Sequence, residues 1–243
     1  MTAPDGSSVS TPPQASLAED LIDIWFAPST VFARRAQGGA WGPFLVTAVL
    51  MVALYFAALG SMPGVIDAEV ARAVAEAQAS NPALDGEQLE TMRKVTEKAV
   101  AYGGLVFIPV VLLLIGVLVW LLAKVLGGSA SFGAGVMIAS FAYLPKTLEL
   151  LLVIVQGFVF DTTGWTGRYQ FSWGVGRFLD PTGAQGMVNF LGRLDVFTLW
   201  VTALCVIGLI QVAKVPRSKA YAAGAILWTL GALPALMQLA SGK

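Results

Sequence analysis

Within the apolar stretch "YLPKTLELLL", Pro145, Lys146 and Glu149 are the residues whose types and spacing could do chemistry. Lys146 and Glu149 are three apart, so on a helix they share a face and can pair. Unpaired at mid-bilayer, each costs roughly 3 kcal/mol on insertion scales. Pro145 removes a backbone hydrogen bond and kinks or breaks the helix that carries it. Three uses fit. A broken helix with a charge pair can bind an ion or small solute, as the discontinuous helices of transporters do. A buried lysine or glutamate can serve as acid or base. A self-neutralised pair can hold its helix against its neighbours. Asp195 is a further candidate, opening another apolar run where the helix macrodipole favours a carboxylate.

Few other reagents are present. There is no histidine, which removes the commonest proton shuttle and zinc ligand. Cys205 is the single cysteine and lies in an apolar run, so it reads as a small buried residue rather than part of a disulfide or thiolate cluster. No cofactor or metal is expected, and catalysis is not. Fifteen bases balance fifteen acids, thinly spread, so no basic patch points to nucleic acid.

The elements that position these residues belong in a membrane. Hydrophobic residues make up 56% of the chain and charged ones 12%, against about a quarter charged in a soluble domain. The fold expected is an all-α integral membrane protein, a bundle of five transmembrane helices. The spans fall at about 43–60, 104–126, 132–160, 194–213 and 220–240, each able to cross a hydrocarbon core of about 30 Å. Backbone groups in lipid must be satisfied internally, so all are helices. Residues 21–240 form this membrane domain. Residues 1–20, rich in Pro, Ser and Thr and without the pattern of a signal peptide, read as a disordered tail.

Two connections are short, Leu126–Phe132 and Lys214–Lys219, and predict antiparallel hairpins. The long loop after the first span carries two amphipathic helices. Ile66, Val70, Val74 and Ala77 share a face of one; Asp85 and Gln88 stand at capping-box spacing before the other. They lie on the membrane or bundle, or they are solvated connectors. The second long loop is rich in Gly and aromatics, among them Trp165, Tyr169, Phe171, Trp173 and Phe178. It suits the headgroup region or the roof of a cavity. Arg34, Arg35, Lys124, Lys214, Arg217 and Lys219 flank helix ends on one side, which places the N-terminus in the cytoplasm.

Two stripes are candidates for helix packing. On the fourth span Asp195, Thr198, Thr202, Cys205 and Gly208 share a face. On the fifth, Ala220, Gly224, Gly231 and Ala235 do. Small and hydroxylated faces let membrane helices approach closely, so these helices pack on each other or on a partner protein.

The segment with Asp195, Phe197, Thr198, Trp200, Gly208, the basic turn Ser218-Lys219-Ala220 and Trp228 resembles the end of the Yip-one domain, the Ypt/Rab-interacting protein family. "APSTVFARR", with Pro28 and Phe32, resembles the family's Pro-x-x-x-Phe opening, and Tyr143 with Pro145 its tyrosine-proline element. The resemblance covers about Leu21 to Leu239. It implies five membrane helices, a cytoplasmic N-terminus and no known catalytic activity. It also implies a scaffold or trafficking-like role through association with other membrane proteins or with itself. Eukaryotic members bind small GTPases; for a bacterial member in the cytoplasmic membrane, which the Ala/Gly-rich style suggests, that partner does not carry over. The alternative is a small-solute or ion transporter built on Pro145, Lys146 and Glu149.

Overall fold

Ser16 starts the first helix in the computed structural model, which describes residues 15–241. Its side chain accepts from the Glu19 amide and the Glu19 carboxylate accepts from the Ser16 amide, a reciprocal capping box that satisfies two orphan donors. The helix so capped is α1 (Leu17–Asp23), and α2 (Pro28–Arg35) follows with Pro28 in its first turn. Of the stretch 1–20 read as a tail, residues 1–14 lie outside the described residues, while Leu17 to Asp20 are helical and Asp20 is wholly buried. The reason is tertiary. Both Asp20 oxygens accept charge-assisted bonds, one from Arg34 and one from Arg35, which clamp α1 against α2. Ile24, Val31 and Phe32 fill the space beneath. Phe32 meets Phe141 edge-on at 6.2 Å and Trp25 meets Trp200 at 5.4 Å.

Next come α3 (Trp41–Ser61) and α4 (Pro63–Ser80). The chain then turns into α5 (Gly86–Val125), one uninterrupted helix of 40 residues. At 1.5 Å per residue it is about 60 Å long, twice a bilayer core. The second amphipathic helix expected in the loop is thus no separate element but the water-exposed half of the second span. Nothing in its sequence stops it: Asp85 and Gln88 form the capping box at its start, and the next stop is a glycine turn past Val125. There Gly127, at φ +85°, donates to the Lys124 carbonyl and Gly128 to that of Ala123, a Schellman ending that needs the left-handed residue. α4 packs along the polar half of α5 as a helical hairpin, and its first half also leans on the Gly- and aromatic-rich loop, Arg72 donating to the Thr166 carbonyl at 3.0 Å and Glu69 accepting from the Arg168 amide at 3.2 Å.

The remaining helices are α6 (Phe132–Ala142), α7 (Leu144–Val159), a short α8 (Gln185–Leu191), α9 (Val196–Gln211) and α10 (Arg217–Ala240). Among the described residues there is no strand, only an isolated bridge between Gly174 and Asp195. Among the described residues four helices are long and apolar enough to cross a membrane: Trp41–Ser61, Gly86–Val125, Phe132–Val159 (α6 and α7 together) and Arg217–Ala240. α9, where a span over 194–213 is expected, is apolar but has 16 residues, because it starts only after its cap Asp195 and ends at Gln211.

The two short turns lie side by side, Ser129 donating to the Ala213 carbonyl at 2.8 Å and Lys219 to that of Leu126 at 3.2 Å. The hairpins α5–α6 and α9–α10 therefore turn at the same end. Glycines set the closest approach between α5 and α6. A Cβ on Gly116 would lie 2.8 Å from Val136 Cα, and one on Gly135 would run into the Gly116 carbonyl. Such contact maximises dispersion, the main attraction between helices in lipid. The aromatic loop folds over the opposite end. Buried Gln156 donates to the Phe171 carbonyl at 3.0 Å and accepts from Arg177 at 2.7 Å, and Trp165 packs edge-on against Phe171 at 4.6 Å.

Candidate functional site

Pro145 lies in the first turn of α7, and the chain breaks its helix two residues earlier, at Tyr143. Without a proline amide the helix cannot continue its bonding pattern here. A tight turn replaces it, the Lys146 amide donating to the Tyr143 carbonyl at 2.9 Å. Hydroxyls cover the carbonyls around the break. Thr147 donates to Leu144 at 2.6 Å, and Thr47 of α3 donates to Ser140 at 3.3 Å. Pro109 and Pro234, by contrast, sit inside continuous helices.

The break aims Lys146 across to α9. Its ammonium is 2.7 Å from Glu149, 3.6 Å from Asp195, and donates to Thr198 Oγ1 at 3.0 Å. Asp195 also caps α9, accepting from the Thr198 amide at 2.8 Å. The group is therefore not a simple pair. One lysine serves two carboxylates and a hydroxyl, and it ties α7 to the start of α9. Lys146 and Glu149 keep about a fifth of their side-chain surface open, while Asp195 is 4% exposed. Among the described residues, no three His, Cys, Asp or Glu side chains come close enough to hold a metal ion.

The packing candidates divide among several neighbours. Thr202 bonds within α9, donating to the Thr198 carbonyl at 2.9 Å. A Cβ on Gly208 would be 2.5 Å from Ile138, so this glycine seats α9 on α6. Gly224 faces Val206 and Thr202 and seats α10 on α9, with Ala220 fully buried beside them. Gly231 does something else. A side chain there would collide with the guanidinium of Arg193, so this position clears room for a half-buried cation rather than for another helix.

Arg193 is the residue that sequence reasoning misses, because it reads as one more loop base. It lies two residues before Asp195, 5.9 Å from the Trp228 ring centre; its Nη2 donates to the Trp228 carbonyl at 3.5 Å, while its Nε is enclosed without a hydrogen-bond partner. Its only signal in sequence is a glycine on α10 spaced away from the rest of the stripe.

Two cavities meet at the lysine cluster. One, of about 540 Å³, is an apolar groove between α3, α5 and α7, lined by Met51, Phe107, Ile108 and Leu112 among others. The other, of about 340 Å³, lies under the aromatic loop and is lined by Arg168, Ser172, Arg193, Asp195 and Thr198. Lys146, Glu149 and Leu150 line both.

A multi-pass helical membrane protein with a proline-broken span and a charge cluster held inside it is the class this architecture defines. A model of the Yip1 domain matches residues 22–237, and the chain belongs to that family. It is similar to "Membrane protein YknW" of Bacillus subtilis (strain 168), with 25% identity over 209 residues, covering 86% of this chain and 84% of that protein. No solved structure matches it. The family match gives the Pro28 and Phe32 opening a physical sense: Pro28 starts α2 and Phe32 is its fully buried anchor.

Proposed function

We propose that this Yip1 protein is a non-enzymatic membrane scaffold that gathers another membrane protein, or a second copy of itself, through the hairpin of α4 and α5. The observation that carries the reading is the length of α5. About half of it exceeds what a bilayer can cover, and with α4 it presents a long helical surface outside the bundle. That surface mixes exposed charges, Glu90, Arg93, Lys94 and Glu97, with exposed Val95 and Tyr102. It suits a partner's rim and core better than a substrate.

The reading includes five crossings. The two short turns lie side by side at one end, which supports counting the apolar 16-residue α9 as a crossing between them and the loop end. Lys124, Lys214, Arg217 and Lys219 flank the short-turn end, which favours that end, with the N-terminus, in the cytoplasm of a bacterial cell. Solute transport finds little support: transporter sites use paired broken helices, and α5 and α10 run through their prolines unbroken.

The test is purification from native membranes in mild detergent, comparing wild type with the triple variant Arg93→Glu, Lys94→Glu, Lys98→Glu. A stoichiometric membrane protein, or a defined homo-oligomer, should accompany the wild type and be lost from the variant. A monomer that purifies alone in both cases contradicts the proposal.

A further inference from the structure

The first two helices sit deeper in the bundle than a surface element would. Their outer ends lie at the short-turn end: Leu17 of α1 is 3.6 Å from where a Cβ on Gly42 would stand, at the head of α3, and Ala40, past α2, is 3.6 Å from one on Gly133, at the head of α6. Between these points the chain goes inward. Phe32 packs on Phe141, which is near the inner end of α6 and about 13 Å along it from Phe132. Trp25 packs on Trp200 of α9, two residues from the Thr198 that accepts from Lys146. Both contacts thus lie close to the level of the helix break at Tyr143. α1 enters from the short-turn end, the chain turns over at Trp25 to Pro28, and α2 returns to the same end.

The turn is built for surroundings without water. From Ile24 to Ala33 no residue is charged; Asp20, Asp23, Arg34 and Arg35 flank that stretch and bond one another. The amides of Ile24, Trp25, Phe26 and Ala27 all donate to carbonyls of α1, and Pro28 has no amide to satisfy. The Trp25 indole donates to the Leu21 carbonyl at 2.9 Å. Lipid offers a backbone no other partners. Yet Phe26 is 85% exposed and Ile22, four residues before it, 63%. The same half of the bundle is where α3 turns Leu45 and Val49 outward.

We propose that α1 and α2 form a re-entrant hairpin in the leaflet at the short-turn end, holding Ile22 and Phe26 against its acyl chains. The hairpin dips to about the middle of the bilayer and does not cross it. Its partner is lipid hydrocarbon, because the exposed tip is apolar, its donors are used up, and its contacts set it at the depth of the membrane-spanning helices. The inference goes beyond the scaffold reading and rests only on the bundle spanning the membrane.

The test is site-directed spin labelling of the full-length protein in nanodiscs of phosphatidylglycerol, with oxygen and a nickel chelate as the apolar and polar relaxants. Labels go on Phe26→Cys and Ile22→Cys, with lipid-facing Leu114→Cys as the reference within the membrane and Ser218→Cys, in the short turn, as the reference outside it. Wild type, whose single Cys205 is buried, is the labelling blank. The Phe26 label should be open to oxygen, closed to nickel, and within about 5 Å, one helical turn, of the Leu114 label in depth. The Ile22 label should read about one turn shallower. Should Phe26→Cys fail to fold, as judged by helical content and monodisperse elution, the Ile22 label carries the test and must still lie well below the Ser218 label. Nickel access at Phe26 equal to that at Ser218 would place the hairpin in water and overturn the proposal. Equal shallow depths at Ile22 and Phe26 would lay it flat on the surface, and a label closed to both relaxants would mean that protein covers the tip; either result overturns it as well.

Discussion

Replacing Asp20 by Asn should release the α1–α2 hairpin from the bundle. The Asp20 side chain is fully enclosed, and its two oxygens are taken by Arg34 and Arg35. The amide keeps the shape but removes the charge, and it turns an NH₂ group toward a guanidinium. Breaking a buried pair from one side costs about 3–5 kcal/mol. Both arginines retain about a quarter of their surface, 29% and 23%, and can be rehydrated, which puts the expected loss near about 3 kcal/mol. At 1.4 kcal/mol per factor of ten, protection of the hairpin amides should fall by about a hundredfold. Hydrogen exchange with mass spectrometry in lipid nanodiscs reads this directly, with α9 and α10 as the internal reference. Asp23→Asn is the contrast. Asp23 also meets Arg34, at 2.6 Å, but is 44% exposed, so its loss should cost under about 1 kcal/mol. Unchanged protection in Asp20→Asn, or equal effects of the two variants, would refute the reasoning that burial makes this contact.

Gly224→Leu should destabilise the single chain by about 1–3 kcal/mol through overpacking, since even a Cβ there lies 2.5 Å from Val206; a thermal melt in detergent measures it, and an unaltered melting temperature contradicts the packing. Lys146→Met should be more destabilising than Lys146→Met with Glu149→Gln, because the single change strands two carboxylates in a low-dielectric site; chemical denaturation of the four members of the cycle gives the coupling. Thr182 donates to Asp180 from its amide at 2.8 Å and its hydroxyl at 2.7 Å, which holds this carboxyl below the ordinary carboxylate range. A lowered value stabilises the turn above that range and ceases to do so as pH falls through it. Exchange of the turn amides, corrected for intrinsic rates, should therefore be flat from pH 7 to about 4 and rise only below.

Much of the architecture is legible in the residues. The apolar runs mark the spans because lipid leaves the backbone no other partner. Pro145 marks the break, and Asp85 with Gln88 marks a helix start by local bonding alone. What is not legible depends on distant contacts. α1 and α2 are too short to be stable alone, and they exist through Asp20 meeting arginines fourteen and fifteen residues later. The continuity of α5 is hidden because a helix that passes from water into lipid carries no cap at the crossing. Lys146 and Glu149 are visible as a pair by their spacing, whereas Asp195 joins them only through the packing of α9 on α7. Arg193 is hidden for the same reason: its place against α10 depends on the absence of a side chain at Gly231.

The most direct measurement of the central claim is photo-cross-linking in native membranes from a reactive side chain placed at Val95, on the exposed face of the hairpin. The scaffold account predicts one discrete protein adduct, a partner or a second copy, which is absent when the same side chain is placed at lipid-facing Leu114. Identical smears from both positions, or adducts with lipid alone, would contradict it.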